Sequence, residues 1–233
     1  MEKYFFEKIV LNQKNHWWYK SRRKIFFKIL KKLNLKNQKI LDYGSGAGAN
    51  IHILKKLSQN IDVFEPNKKM HPELKDRGVN VITKLEGNYD LILLTDVIEH
   101  IKYDKEEMLY LANNLNTDGY MFITVPAYQF LYSSKDSQLK HFRRYNKDSL
   151  IKIIPKNLDI IKISYMNFFL FLPLTLIIMF NKFFNKGFSK LSEEIPNKLI
   201  NLLLYKIFSF EKYFIDRINF PFGVSILALV KKK

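Results

Sequence analysis

Cysteine is absent from this 233-residue chain, which excludes a disulfide framework and any thiolate metal site. Histidine is sparse: the five lie far apart, at positions 16, 52, 71, 100 and 141, so neither residue type points to a metal and none is expected. The opening Met1-Glu2-Lys3-Tyr4-Phe5-Phe6-Glu7 lacks a basic stretch followed by a sustained apolar run. No secretory signal is read there, and a cytoplasmic protein is expected. RNA-binding and zinc-finger signatures are also missing. The formal charge of +17 therefore does not read as a nucleic-acid footprint. Lysines are spread along the whole chain beside many Asn, Ile and Phe, a bias that an AT-rich genome produces without selection on charge, and Lys231 to Lys233 read as a solvated tail.

A hydrophobic content of 47% is enough to bury a full core, and the chain reads as one domain over 1–233. Ile25, Phe26, Ile29, Leu30 and Leu33 fall on one face at helical spacing, which predicts an N-terminal helix from Trp17 to Leu33. Lys39-Ile40-Leu41-Asp42 is a short apolar run stopped by glycines, and Asn50 to Leu57 resumes a helical pattern. Strands are expected at Ile61 to Phe64, Val79 to Thr83, Leu91 to Leu94 and Tyr120 to Val125. Between the last two, Asp104-Lys105-Glu106-Glu107 resembles a capping box opening a helix through Met108, Leu111, Ala112 and Leu115. This alternation predicts an α/β fold, a parallel sheet covered on both faces.

The C-terminal third differs. Leu158 to Ser164 and Gly223 to Val230 read as strands, and a helix from Pro196 carries Ile200, Leu203, Ile207, Phe210 and Phe214. The uncharged stretch Ile163 to Asn181 approaches membrane-span length, but its start reads as strand and Pro173 interrupts it, so a span is rejected. Docking on a bilayer or on a lipid-linked molecule is the alternative to a packing role or a dimer interface.

In Asp42-x-Gly44-x-Gly46-x-Gly48 the glycines let the backbone turn sharply and approach a ligand, while the following helix would present free N–H groups. Alone this is ambiguous, because Gly44-x-Gly46-x-x-Ala49 also fits a loosened dinucleotide fingerprint. Glu65 ends the next strand, where a carboxylate can accept from ribose hydroxyls. The segment Tyr89 to His100 then places Asp96, Glu99 and His100 just beyond a buried strand.

Through Ile40-Leu41-Asp42-Tyr43-Gly44-Ser45-Gly46-Ala47-Gly48, Phe64-Glu65-Pro66 and Asp96-Val97-Ile98-Glu99-His100, the sequence resembles the class I S-adenosylmethionine-dependent methyltransferases. More narrowly it is similar to a bacterial and archaeal subgroup, through His16-Trp17-Trp18-Tyr19-Lys20-Ser21-Arg22-Arg23, Val125-Pro126-Ala127-Tyr128, Asp136 and His141-Phe142-Arg143-Arg144-Tyr145. The resemblance implies a doubly wound seven-stranded sheet of order 3-2-1-4-5-7-6, with Gly223 to Val230 as its antiparallel last strand. It implies an N-terminal helical extension (1–36), an acceptor-side insertion (127–150) and an apolar helical insertion (165–220). The implied cofactor is S-adenosylmethionine, with Gly44, Ser45, Gly46 and Gly48 against its methionine portion, Asp42 orienting that loop, Glu65 on the ribose and Asp96 near the methionine end. The acidic residue usually found after the third strand has no clean counterpart; Thr83 or Glu86 stands nearest.

Methyl transfer needs a base only where the acceptor must lose a proton. His141 is the first candidate and His100 the second. Tyr128, Arg143, Arg144 and Tyr145 are candidates to bind the acceptor, the arginines by clamping a phosphate or carboxylate, with pairing to Asp136 or Asp148 as the competing use. Trp17 and Trp18 could lid the cofactor or simply pack. The expected acceptor is a hydroxyl (or amine) on a glycan or lipid-linked intermediate, with a quinone-like or other small apolar molecule as an alternative. An NAD-dependent oxidoreductase and a non-catalytic S-adenosylmethionine-binding protein are the competing classes. The expected setting is cytoplasmic, or peripheral on the inner face of the membrane.

Overall fold

A computed structural model describes residues 10–85, 87–184 and 195–233. Its centre is one seven-stranded sheet of order β3-β2-β1-β4-β5-β7-β6. The strands are β1 (Ile40–Tyr43), β2 (Ile61–Phe64), β3 (Asn80–Ile82), β4 (Tyr89–Thr95), β5 (Leu115–Pro126), β6 (Leu158–Met166) and β7 (Ser225–Lys232). β1 to β5 pair in parallel, while β7 runs antiparallel to both neighbours, setting Tyr120 against Lys231 and Met166 against Ser225. Leu91 to Leu94 are fully buried, as a central strand covered on both faces requires. All parallel strands point their carboxyl ends at one edge, where the loops after β1, β2, β4 and β5 meet.

Helix α1 (Trp17–Leu30) covers the sheet with Ile25, Phe26, Ile29 and Leu30, each worth about 1.5–3 kcal/mol when removed from water. Phe26 sets its ring edge-on to Phe122 of β5, with centroids 4.9 Å apart. The helix expected over 50–57 is shorter: α2 (Ile51–Leu54) is one turn, and Ser58 Oγ donates to the Gln38 carbonyl at 2.6 Å as the chain turns toward β2. A helix this short carries little dipole, so the glycine turn presents its own N–H groups instead of leaning on a helix end.

Two other expectations change. Helix α4 (Asp104–Asn113), which follows a short α3 (His71–Asp76), does not form the Asp104/Glu107 capping box. Asp104 instead turns inward to Arg143 and to the Tyr145 hydroxyl, the latter at 2.8 Å, and Glu107 accepts from the Tyr43 hydroxyl. That helix ends at Asn113, and 115–119 join β5 through a register shift between Tyr89 and Leu91.

Beyond β5 come α5 (Ser134–Gln138) and α6 (Lys147–Ile151). The long uncharged run then divides into the end of β6, a turn at 167–170, and α7 (Phe171–Phe183). Pro173 lies in the first turn of α7, where its missing N–H breaks nothing, so it marks a helix start instead of an interruption. The turn is pinned by Glu211, just past α8 (Lys198–Phe210), which accepts the N–H groups of Asn167 at 2.8 Å and Phe168 at 2.7 Å. Burial pushes the Glu211 carboxyl up to about 7 despite these donors. No helix among the described residues is long and apolar enough to cross a membrane.

Candidate active site

The turn after β1 is shaped by its glycines. Gly44 adopts φ +70, and a Cβ there would meet Val97 Cγ2 at 2.7 Å, so Val97, two residues past β4, packs directly on this turn. Gly46 adopts φ +57 and has open space, with only the Gln13 amide nitrogen 3.6 Å from where a Cβ would be. The helical residues 10–15 therefore lie over the turn, held by Arg23, which donates to the Gln13 carbonyl.

Glu65 joins the first and second loops. Its Oε2 accepts the Gly46 N–H at 2.7 Å and its Oε1 the Asn67 N–H at 2.8 Å, while Gly44 N–H donates to the Phe64 carbonyl at 2.8 Å. The carboxylate and the glycine turn thus face one surface. Beneath them Asp42 is fully buried, and neither of its oxygens has a hydrogen-bond partner; the nearby Ser45 hydroxyl is likewise unpaired. Burial raises the Asp42 carboxyl to about 7; Ser45 and Asn50 oppose that rise, and Glu65 adds to it.

This raised value fixes a sign. A carboxyl that titrates near 4 when unfolded and about 7 when folded gives stability that is intact at low pH and lost as pH rises through 7. Asp42→Asn removes the charge. It is expected to leave stability unchanged near pH 4 and to raise it at pH 8 by on the order of 2 kcal/mol in ligand-free protein, read by urea unfolding at the two pH values.

At the end of β4, Asp96 adopts φ +57, a strained conformation for a non-glycine residue. It is bound by Arg22 of α1, whose other terminal nitrogen donates to Thr124 Oγ1 at 2.7 Å; Thr124 in turn donates to Asp96 Oδ1 at 3.1 Å. Arg22 lies under Trp18 and Phe26 and is buried. Within the His16 to Arg23 segment, local spacing gives Arg22 no role. Trp17 and Trp18 both pack near Phe208 of α8, at 6.1 and 5.3 Å between centroids, so packing is the use the fold makes of them.

The acceptor-side segment is fastened to the same edge. Tyr128 N–H donates to the Tyr145 carbonyl at 2.7 Å, and Phe142 N–H to the Glu99 carbonyl at 2.8 Å. His141 Nδ1 lies 2.9 Å from Asp136 Oδ1, and Arg144 grips the same carboxylate at 2.7 and 2.9 Å. Burial pushes the Asp136 carboxyl up, but His141, Arg144 and Ser133 outweigh it and hold Asp136 well below the usual range. An ionised Asp136 makes Nδ1 the donor and leaves His141 Nε2 with the lone pair. The His100 ring stands edge-on to His141 at 4.5 Å, and partial burial with that neighbouring imidazole lowers its pKa. Glu99 beside them is fully buried with both oxygens unpaired; burial and the Asp96 charge raise it well above its ordinary value.

The expected acceptor residues divide. Tyr145 is buried with its hydroxyl on Asp104, Arg143 pairs with Asp104 and the Lys102 carbonyl, and Arg144 is spent on Asp136. These three brace the loop, as the competing use foresaw for Arg144. Tyr128 is different: half-buried at φ +61, it stacks on Tyr165 at 5.1 Å and meets Phe130 and Phe171. Thr83 is exposed after β3, and Glu86 lies outside the described residues. Away from this edge, an open apolar groove of about 870 Å³ lies between Phe130 and the 176–184 stretch that ends α7.

Residues 17–156 match a family model described as a methyltransferase domain. No curated protein matches the chain. Among solved structures, an S-adenosylmethionine-dependent methyltransferase of Thermotoga maritima aligns at 16% identity over 98% of this chain and 99% of its own, with TM-score 0.59. A second such enzyme, from Clostridium acetobutylicum, aligns at 15% identity over 92% of each chain, TM-score 0.57. The N-methyltransferase NodS of Bradyrhizobium japonicum, crystallised with S-adenosylhomocysteine, aligns at 12% identity over 89% of this chain and 85% of its own, TM-score 0.54. At these identities the likeness is one of fold.

Proposed function

The chain belongs to the methyltransferase-domain family, and from that premise we propose that it transfers the methyl group of S-adenosylmethionine to a hydroxyl on a lipid-linked or glycan acceptor. The contact that carries the cofactor reading is Gly46 N–H on Glu65, beside the unpaired Asp42 carboxyl. The residues fit such a cofactor: an open backbone turn, a carboxylate for the ribose, and a buried acid without a partner near the expected methionine portion.

When bound, S-adenosylmethionine supplies a sulfonium-borne methyl to in-line attack, so alignment is the main demand. Gly44 to Gly48 would shape the seat, Glu65 would accept from sugar hydroxyls, and Arg22 holds Asp96, the residue expected near the methionine end. His141, oriented by Asp136, offers Nε2 to take the acceptor's proton, with His100 as the second candidate.

The acceptor class is drawn from the surface next to Tyr128. Tyr128 meets Phe171 at the start of α7, and from there Leu172, Leu176 and Phe183 are mostly exposed, as are Leu199 and Leu203 of α8. Scattered exposed apolar residues are ordinary, but the apolar run along α7, with Lys182 in its last turn, suits an interfacial seat on an anionic bilayer. Full-length protein is expected to float with vesicles containing anionic lipid at low salt and to remain partly bound at high salt. Protein wholly in the soluble fraction under both conditions removes the bilayer reading while leaving the cofactor reading intact.

A further inference from the structure

We propose that Glu99, His100 and His141 form a binding site for one divalent first-row transition metal ion. Spacing along the chain argued against any metal, because the two histidines are far apart in sequence. The fold brings them together: one ligand atom from each of the three residues lies within 4.8 Å of the other two, the one such group with three or more residues among those described. Ligand atoms about 2.0–2.2 Å from a common ion sit roughly 3–4 Å from each other, so modest side-chain rotation closes the triad.

Three features point to an ion instead of a chance meeting. Glu99 is fully buried, yet neither of its oxygens has a hydrogen-bond partner, and a buried carboxylate without one calls for a cation or a proton. His141 is already oriented as a metal ligand would be: Asp136 holds Nδ1 at 2.9 Å, which leaves Nε2 for coordination, and Arg144 grips Asp136 at 2.7 and 2.9 Å. A carboxylate behind the histidine is the usual outer-shell support of a metal-bound imidazole. Finally, Phe142 N–H donates to the Glu99 carbonyl at 2.8 Å, which clamps the loop bearing His141 against the 3-10 turn Ile98–His100 that follows β4.

Two imidazoles and one carboxylate, with no thiolate, select ions such as Zn²⁺, Co²⁺, Fe²⁺ or Mn²⁺ over Ca²⁺. Because His100 is exposed, the remaining coordination positions open toward solvent at the carboxyl edge of the sheet. His141 Nε2 has one lone pair, so with the ion bound it is a ligand and takes no proton; it acts as a base only in the ion-free protein, and the site itself does not depend on the methyl-transfer reading.

The test uses full-length protein freed of metal by a chelator and titrated with CoCl2 near neutral pH, followed by visible ligand-field absorption and calorimetry. One equivalent of Co²⁺ is expected. His100→Ala and His141→Ala should each weaken binding at least about tenfold, and Asp136→Asn about 10- to 100-fold. His100 is exposed, so its variant should keep the circular dichroism spectrum and unfolding midpoint of the parent. Absence of a saturable signal in the parent, or parent-like Co²⁺ affinity in folded His100→Ala protein, overturns the proposal.

Discussion

Glu65→Ala is expected to lower affinity for S-adenosylhomocysteine by about 100-fold, measured by calorimetry, with cooperative unfolding retained. The carboxylate would accept from two sugar hydroxyls, and hydrogen bonds to a charged group contribute about 1.5–3 kcal/mol each. Losing roughly 3 kcal/mol in total is about two decades of affinity. Glu65 also fixes the Gly46 N–H, so alanine frees the turn as well as the sugar contact. Glu65→Gln keeps one acceptor oxygen and should fall about tenfold. A loss in the alanine variant no larger than in the glutamine variant would assign the whole effect to the turn and none to the sugar.

The largest effect on stability is expected from Arg22→Met. The methionine chain fills most of the space under Trp18 and Phe26 but leaves Asp96 without its cation and Thr124 Oγ1 without its donor. Breaking a buried pair from one side costs about 3–5 kcal/mol. Asp96 is 35% exposed at its side chain, so water recovers part of this, and about 3 kcal/mol is the expected loss. In a chain of this size that lowers the midpoint by roughly 6–12 °C. Arg22→Met combined with Asp96→Asn should regain about half of it, because the second change removes the stranded charge. If the two losses simply add, Arg22 acts through packing alone.

Local patterns made much of this architecture readable. Lys39 to Asp42 and the glycines after it announce a strand and turn, and the 61–64 strand matches β2 end to end. The strand order and the antiparallel β7 came through family resemblance, since neither periodicity nor composition encodes which strands pair. Glu65 was readable because it sits at a strand end, where function concentrates in open sheets.

Contacts that join distant residues stayed hidden. Arg22 meets Asp96 across 74 positions, and Glu211 reaches Asn167 across 44; no local signal marks either pair. The same distance concealed the approach of His141 to the adjacent Glu99 and His100. Arg143, Arg144 and Tyr145 are legible as a motif and Asp136 as a partner, whereas Asp104, which Arg143 and Tyr145 meet, carries no local signal. The uncharged run from Ile163 approaches a membrane span in length, but β6, a pinned turn and α7 share it, as the strand pattern at its start already indicates.

One nucleoside seat shared by the first and second loops is what the cofactor reading requires. Calorimetric titration of the unmodified chain with S-adenosylhomocysteine and, separately, with NAD addresses it directly. One equivalent of S-adenosylhomocysteine should bind while NAD gives no heat. Silence toward S-adenosylhomocysteine, or saturable binding of NAD, would contradict it.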